Sequence, residues 1–520
     1  MKKAFWFVFL FLAPLALAGT GPRLNMDDTH VYLGLDEAVR LALERNPDLR
    51  TEALNPRLSE AAVMGERGIF DFYLDSSVNK YHDKSLTRYS YLAAEPIIED
   101  ERNAYELSVS KLLGFGTKVT LSMANGRYAT NSFAIFDPEY SASYTASLVQ
   151  PLLRGFGKRS TAKGVRVARA NHEISVLDFE VRVAAVLEEV ISAYWDALYA
   201  RRSMKVAEEA LARARDLYNE IEARVSVGLL PPVEMAQAEA GVSEREEAIV
   251  VSENALRAAE DRLRYLLGFS ADAALWKREL ALTDALPEVG ESGTSMEEAV
   301  EEAFARRPEW RRIEREIENG RTEMRYARNR KRPELNVNVS YGATGLSGVA
   351  CLDSDGDGLC DIPIRESNTD ALKQAYHAWY PNWSVGLTFS YAFRNRTARG
   401  AFEAARLSLE QTEIAREALE ASILVEVRAA ARDVETNLKR IEAARANRVL
   451  QQRKLDVETE RHQNGLSTLY QVLQFQADLT AAEAAELKAL LDYHRSTVVL
   501  EKATGTLASK HGVEFVDAAL

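Results

Sequence analysis

The chain has few of the residues that usually interrupt or cross-link a protein. Its 520 residues include only two cysteines, 14 prolines and 27 glycines. Two cysteines cannot hold together a chain of this length, so its stability must come from burial or from assembly with other copies. The scarcity of proline and glycine predicts a small number of very long secondary-structure elements.

Positive charge is also in deficit. The 65 lysines and arginines are outnumbered by 78 aspartates and glutamates, which gives a formal net charge of −13. Non-specific nucleic-acid binding needs clustered positive charge to displace counterions from phosphates. Nucleic acid is therefore excluded as a partner.

Long hydrophobic runs are missing after the amino terminus. The first run, Ala4 to Leu17, follows two lysines and ends in a small-x-small cleavage pattern before Gly19. This pattern predicts an export signal peptide over residues 1–18, because the alternative, a membrane anchor, needs about 20 apolar residues. No later segment reaches about 18 uninterrupted apolar residues, so any membrane crossing there must use strands.

The sequence contains two halves built on one plan. A short amphipathic helix that ends at a proline is predicted at Leu35–Pro47 and again at Met296–Pro308. Residues 165–227 and 401–464 contain neither glycine nor proline, which predicts helices of about 95 Å at ~1.5 Å per residue. The glycines that recur at matching intervals are Gly164, Gly228 and Gly268 in the first half and Gly400, Gly465 and Gly505 in the second.

Each long helix is predicted to be followed by a shorter helix that returns alongside it, so that the two form a hairpin with unequal arms. Residues 204–225 and 423–434 place apolar side chains at alternating spacings of three and four, the seam of coiled-coil packing. Gly228 and Gly465 interrupt a helical pattern that then resumes, so they mark the hairpin tips. A simple coiled-coil rod is the alternative interpretation, and the two turns argue against it.

Between the short helix and the long hairpin of each half, the apolar period changes to two. Large apolar and small or polar residues alternate over 335–341 and 383–393. Further strands are indicated in the first half at about 72–81, 105–112, 118–125 and 140–149. One apolar and one polar face fit a soluble sandwich, and they also fit a transmembrane barrel with lipid outside and water inside.

These features together resemble the outer-membrane efflux protein family, the TolC-like trimeric ducts. The residues that carry the resemblance are Leu35–Pro47, Met296–Pro308, the strand exit Gln150–Gly157, Ala168–Asn171 and the two Gly-Leu tips. The resemblance implies a mixed, mostly α fold with two internal repeats. In it, long helical hairpins form a periplasmic α-barrel, and strands contribute to a shared transmembrane β-barrel.

The resemblance also implies a function and partners. The expected function is the outer-membrane exit duct of a tripartite efflux or type I secretion system. The implied partners are two further copies in a homotrimer, a periplasmic adaptor, an inner-membrane pump and outer-membrane lipid, with no required cofactor. A freestanding porin and a structural periplasmic coiled-coil protein are the alternatives. The usual catalytic motifs are missing from the sequence, so no enzymatic activity is expected.

On this interpretation the chain divides into eight segments. The segments are 1–18 (signal peptide), 19–68 (amino-terminal segment and first short helix), 69–155 (first strand region), 156–270 (first long hairpin), 271–332 (linker and second short helix), 333–394 (second strand hairpin, with an Asp-rich loop at 351–361), 395–507 (second long hairpin) and 508–520 (tail).

The two tips carry the predicted adaptor contacts. In similar ducts such segments meet the helical hairpins of the adaptor, and a bare helix turn is the alternative interpretation. The predicted contact residues are Val227, Gly228, Leu229, Gly465, Leu466 and Ser467.

The pore constriction of similar ducts lies just past the second tip. Acidic rings of the family correspond here to Gln471 and Gln474, and the nearest tip carboxylate is Glu234. Neutral amides would close a pore by hydrogen bonding but lose the Coulomb attraction for cations. Ordinary surface polarity is the alternative for both glutamines. His462, alone in a helical run, is expected on the surface.

Residues 351–361 form a separate, Asp-rich motif. Its spacing reproduces the start of a calcium loop, but Ile364 replaces the bidentate glutamate, so a complete EF-hand is absent. Cys351 and Cys360 are predicted to clip the loop by a disulfide in an oxidising compartment. The alternative is a solvated acidic loop with two thiols. The predicted calcium ligands are Asp353, Asp355, Asp357 and Asp361.

Overall fold

The computed structural model describes residues 26–87, 96–285, 290, 295–352, 362–513 and 515. The predicted signal peptide, the four predicted calcium ligands Asp353, Asp355, Asp357 and Asp361, and Cys360 lie outside the described residues. The chain divides into two units. We call Met1–Ala53, Phe179–Pro308 and Ala421–Leu520 the tip unit, and Leu54–Asp178 and Glu309–Glu420 the sheet unit.

Long helices dominate both halves of the chain. In the first half the elements are β1 (His30–Leu33), α1 (Leu35–Arg45), α2 (Pro47–Glu52), α3 (Leu54–Arg67), β2 (Phe72–Leu86), β3 (Ile97–Leu112), β4 (Lys118–Thr130), β5 (Glu139–Pro151), α4 (Lys158–Thr161), α5 (Lys163–Ser226), α6 (Pro232–Leu266), α7 (Ala273–Trp276) and β6 (Glu279–Leu282). In the second half they are α8 (Met296–Arg306), α9 (Pro308–Arg330), β7 (Glu334–Leu352), β8 (Ile362–Arg365), α10 (Asn368–Tyr376), β9 (Tyr380–Ser390), α11 (Arg396–Gln463), α12 (Leu469–Ala503) and α13 (Leu507–Lys510).

The two long hairpins have the predicted unequal arms. Helices α5 and α11 contain 64 and 68 residues, and the returning helices α6 and α12 contain 35 residues each. None of the described helices is sufficiently long and apolar to cross a lipid bilayer.

Both returning helices end at a glycine that packs against a short helix. Gly268 follows α6 with φ +70°, and Gly505 follows α12 with φ +73°. A Cβ atom on Gly268 would lie 2.5 Å from the carbonyl oxygen of Arg45, at the end of α1. A Cβ atom on Gly505 would lie 3.1 Å from the carbonyl carbon of Arg306, at the end of α8. The predicted duplication therefore extends to the packing of each half.

The residue after each short helix strengthens this contact. The side chain of Asn46 is buried and donates through Nδ2 to the carbonyl of Leu266, at 2.9 Å. Arg307 holds the equivalent place in the second half, and its Nη1 lies 3.4 Å from the carbonyl of Ala503. Two different side chains thus satisfy the last carbonyls of two equivalent helices.

A small parallel sheet anchors the core of the tip unit. Strand β1 pairs with β6 in parallel, from His30 opposite Glu279 to Leu33 opposite Leu282. The hydroxyl of Tyr194 on α5 donates to Asp284 Oδ2 at 2.8 Å, and the same oxygen accepts the first backbone N–H of α1. Burial, followed by the bond to Asp284, raises the pKa of Tyr194 above its usual range. The phenol therefore stays protonated and acts as a donor.

The sheet unit contains one antiparallel sheet with six long strands. Their order is β2, β3, β4, β5, β7, β9, and each strand is antiparallel to its neighbours. The short strand β8 pairs with the far end of β7, beyond the part that pairs with β9. The additional strands of the first half are thus continuous with those of the second half.

Helix α10 packs on one face of this sheet. Ala371 and Ala375 are buried against Ala142 of β5. Gly345 of β7, which is paired with Ala142, lies so close to the backbone of Ala371 that a side chain there would collide with it. The Gln374 side chain accepts a hydrogen bond from the backbone of β7 at 3.0 Å. Small residues on two strands therefore create the seat of this helix.

Candidate functional site

The two hairpin tips use the same backbone turn. Gly228 and Gly465 have φ values of +76° and +72°, in the left-handed region that glycine tolerates. Leu229 N–H donates to the Arg224 carbonyl at 2.9 Å, as Leu466 N–H does to the Arg461 carbonyl at 2.8 Å. This is the glycine C-cap in which two backbone bonds close the last helical turn.

Apolar side chains project from both tips. Leu229 is 74% exposed and Leu466 is 70% exposed. The neighbouring exposed apolar residues are Val227, Val233 and Tyr470. Clustered apolar side chains on a surface indicate an interaction site. The predicted contact residues Val227, Leu229 and Leu466 are among these exposed apolar side chains.

A buried polar cluster supports the second tip. Glu458 is hydrogen-bonded to the hydroxyl of Ser467 and ion-paired with Arg461 at 3.1 Å. His462 Nδ1 lies 3.3 Å from the Ser467 carbonyl. Its Nε2 is buried and has no hydrogen-bond partner among the residues that the structure describes. The side chains beneath the second tip therefore fix the conformation of its turn.

The expectation that His462 lies on the surface is wrong. The residue is 6% exposed. Leu455, Glu458 and His462 continue the alternating spacing of three and four residues, so His462 follows the buried side of α11 rather than its wet side. A polar residue type hid this seam position from the sequence analysis.

Gln471 and Gln474 lie on consecutive turns of α12 and are exposed. Gln471 Oε1 lies 2.8 Å from the Ser467 hydroxyl, and Gln474 Nε2 donates to Asp478 Oδ1 at 3.1 Å. Residues 471, 474 and 478 thus form one polar stripe along the helix, and Ser467 lies just before the helix begins. Asp478 was missed by the sequence analysis, although its position one turn after Gln474 was a readable signal.

Glu234 belongs to the first tip and is not part of this stripe. It lies in the first turn of α6, and its backbone N–H donates to the Pro231 carbonyl at 3.1 Å. Its Oε2 atom is buried and has no hydrogen-bond partner within the described part of the chain. Between the residues that the structure describes, no hydrogen bond joins Glu234 to Gln471 or Gln474.

The four helix ends below the tips share one apolar core. Gly241 of α6 approaches α12 so closely that a Cβ atom would lie 3.1 Å from Leu473 Cδ2. Arg213 of α5 forms an ion pair with Glu483 of α12 at 3.0 Å. The buried apolar residues of this core are Leu217, Ile221, Ala238, Leu455, Leu469, Val472 and Leu479. This packing fixes the helices from which the tips project.

The Asp-rich motif is described only at its base. Cys351 is disulfide-bonded, and Leu352 is paired with Ile362 where β7 meets β8. Among the residues that the structure describes, no cluster of three His, Cys, Asp or Glu side chains is able to hold a metal ion. Calcium binding by Asp353, Asp355, Asp357 and Asp361 stays a prediction.

Comparison with known proteins decides the family. A family model described as outer membrane efflux protein matches residues 114–269 and 299–506. This chain belongs to the outer membrane efflux protein family. Members of the family are transport channels of the outer membrane with a large periplasmic portion, so the predicted family, location and lack of enzymatic activity are confirmed.

Solved structures of outer-membrane channels share the fold. The Campylobacter jejuni CmeC channel has a TM-score of 0.64 and 17% identity, covering 91% of this chain and 86% of that one. Vibrio cholerae VceC has a TM-score of 0.64 and 14% identity, covering 91% and 96%. The open state of Neisseria gonorrhoeae MtrE has a TM-score of 0.62 and 18% identity, covering 91% and 89%. The sequence has no significant match among curated proteins.

Proposed function

We propose that this protein is the outer-membrane exit duct of a tripartite efflux or type I secretion system. Three copies would form the duct, an inner-membrane pump would drive transport, and a periplasmic adaptor would dock at the hairpin tips. The proposal is supported by family membership and by the combination, in one chain, of two long helical hairpins and a sheet with one apolar and one polar face.

The exposed apolar tips are the observation that favours a duct over a freestanding porin. Leu229 and Leu466 extend beyond the ends of α5 and α11, and each is more than two-thirds exposed. A porin needs no periplasmic partner, whereas a helical adaptor would bury these side chains. Contact between the tips and a periplasmic protein would therefore distinguish a duct from a freestanding porin.

We expect a photoreactive amino acid at position 229 or 466 to cross-link in cells to one periplasmic protein that contains a helical hairpin. Contact with that hairpin would bring the reactive group within range at both tips. The measurement is mass spectrometry of the cross-linked band. The control position is Val425, which is 68% exposed on α11, far along the helix from the tip. Absence of an adduct at both tips would favour a freestanding porin.

The polar stripe on α12 is proposed to line the pore constriction. Gln471 and Gln474 supply neutral amides, and Asp478 supplies a carboxylate one turn further along the helix. In a ring of three copies the amides would close the pore by hydrogen bonding, and Asp478 would retain some attraction for cations. Glu234 is proposed to contribute a carboxylate from the first tip.

Changing both Gln471 and Gln474 to aspartate should raise the preference of the pore for cations several-fold. Six added carboxylates in a trimeric ring would attract cations and repel anions. Reversal potentials in planar bilayers under a salt gradient measure this preference. Gln476→Asp is the matched control, because two residues along a helix place its side chain on the far side from Gln474. Equal reversal potentials in the double variant and the control would show that the stripe does not face the pore.

A further inference from the structure

Two adjacent sets of paired residues differ in character across the six strands, one apolar and the other mostly polar. A row is defined here as a set of residues paired one to the next from β2 to β9. One apolar row contains Leu74, Val109, Leu121, Ala146, Tyr341 and Trp383. The adjacent row, on the opposite face, contains Tyr73, Ser110, Thr120, Ser147, Ser340 and Ser384.

Strands β2 and β3 therefore carry the same two faces as the other four. If these two strands projected from the membrane wall into water, polar residues would be expected at positions 74 and 109. Leu74 and Val109 instead continue the apolar row. Leu74 is 69% exposed in the single chain, as is expected of a side chain that faces lipid. The face pattern thus assigns all six strands to one membrane wall.

The apolar residues of successive strands are also displaced along the strand direction from β2 to β9. Phe72, the first apolar residue of β2, shares a row with Val385 of β9. The apolar stretch of β9 continues beyond Val385 to Phe389, which is 389 − 385 = 4 residues further along. A flat band of lipid crosses tilted strands in this way, because rows perpendicular to the strands are then inclined to the membrane.

Helix α10 lies on the apolar side of the sheet, beyond this stretch. Its seat residues Ala142 and Gly345 are on the same face as Ala146 and Tyr341. The residues that follow the helix include Trp379, which is 63% exposed. An aromatic side chain between a polar helix and an apolar band is typical of the lipid headgroup boundary.

The two edges of the six-stranded sheet are open. Strand β2 pairs only with β3, and β9 pairs only with β7, among the residues described. Unpaired strand edges are not stable in lipid. Strand β2 begins and β9 ends at the same side of the sheet, since Phe72 and Phe389 both lie near the helices α3 and α11. An even number of strands lets these edges pair in antiparallel fashion between copies.

We propose that each copy contributes six strands to the membrane wall and that β2 of one copy pairs with β9 of the next. This inference rests on the proposed assembly of three copies and adds to it the strand number and the seam. Three copies then close a wall of 3 × 6 = 18 strands. A wall of this size is roughly 35 Å across, which leaves a wide water-filled lumen.

Cysteine cross-linking tests the seam. Ser77 of β2 lies on the polar face, and Ser384, Gly386 and Thr388 lie on the polar face of β9. Ser77→Cys is combined with Cys at each of the three β9 positions in turn, because the tilt of the strands sets which of them is opposite. The native Cys351 is disulfide-bonded and does not compete. Oxidation of membranes should yield covalent dimers and trimers for at least one pair.

Matched cysteine pairs between β4 and β9 distinguish a wall with six strands per copy from a wall with four. Ser122 of β4 faces the same side as Ser384 but is separated from β9 by β5 and β7. Ser122→Cys is therefore combined with Cys at the same three β9 positions, and under the proposal each of these pairs gives roughly tenfold less cross-linked trimer than the best β2–β9 pair. If β4 were the true edge, at least one of these pairs would cross-link instead. Strong β4–β9 cross-linking, or equal yields from both kinds of pair, overturns the inference.

The same variants separate this inference from the proposed function. Their conductance is measured in planar bilayers after reduction of the cross-links. Channels that conduct but cross-link through β4 would support the proposed duct and contradict the six-stranded wall. Preparations that form neither trimers nor channels would overturn the duct itself and the seam with it.

Discussion

Alanine at Gly268 is expected to destabilise the folded protein by roughly 3 kcal/mol or more. Two effects act together. The φ value of +70° is unfavourable for any residue with a Cβ atom, and that atom would lie 2.5 Å from the Arg45 carbonyl oxygen. The two Arg45 atoms nearest to the added Cβ, the carbonyl oxygen and carbon, belong to the backbone and cannot rotate away. The end of α6 would have to separate from the end of α1.

Gly228→Ala is the matched control for this substitution. Its φ value of +76° is nearly the same, but no atom lies within 4 Å of the added Cβ. Only the conformational cost remains, which is about 1–2 kcal/mol. The measurement is the temperature at which trimers dissociate in detergent, together with the amount of trimer in the outer membrane. Similar losses in Gly268→Ala and Gly228→Ala would show that the contact with Arg45 is unimportant.

Alanine at Gly345 is expected to release α10 from the sheet. The new Cβ atom would collide with the backbone of Ala371, which forms the base of the helix seat. The rest of the wall should stay folded, because Gly345 pairs within the ladder through its backbone alone. We expect trypsin to cleave after Lys373, whose side chain is 61% exposed, about tenfold faster than in the unchanged protein.

Gly386→Ala provides the comparison for the helix seat. Gly386 lies in β9, within the same sheet, and no atom lies within 4 Å of its added Cβ. Its cleavage rate after Lys373 should match that of the unchanged protein. Equally slow cleavage in the Gly345 variant would mean that the helix does not depend on this close contact.

Local signals account for the parts of the fold that the sequence predicted well. The long helices follow from intervals without glycine or proline, and the tip turns follow from single glycines that interrupt them. In both cases the signal is contained within a few residues of the feature. The small parallel pair β1–β6 has no such signal, because its two four-residue strands lie about 250 residues apart in the chain.

The strands extend further than alternation indicates. Strand β3 begins at Ile97, whereas the sequence predicted a strand only from about 105. Beyond the apolar stretch its partners are charged, as in the ion pair between Lys84 and Glu99, so apolar residues no longer mark one face. Helix α10 was missed for a related reason. Its seat is made by small residues, Ala142 of β5 and Gly345 of β7, and small residues in a strand give no helix signal.

The candidate site was only partly readable from the sequence. Both tips could be placed, because each depends on one glycine. The buried state of His462 was missed, because a polar residue occupies this seam position of α11 and the Ser467 carbonyl beside its ring comes from beyond the turn. Asp478 was not predicted, because the resemblance to similar ducts marks only positions 471 and 474.

The tips share a backbone but not their chemistry. The first continues into Pro231 and Pro232, which offer no backbone donors, whereas the second lies over a buried carboxylate and imidazole. In a threefold ring, six docking points would therefore alternate between two kinds. An adaptor molecule bound at one kind would meet different neighbours from a molecule bound at the other, so occupancy should rise in two distinguishable steps as adaptor is titrated onto the duct.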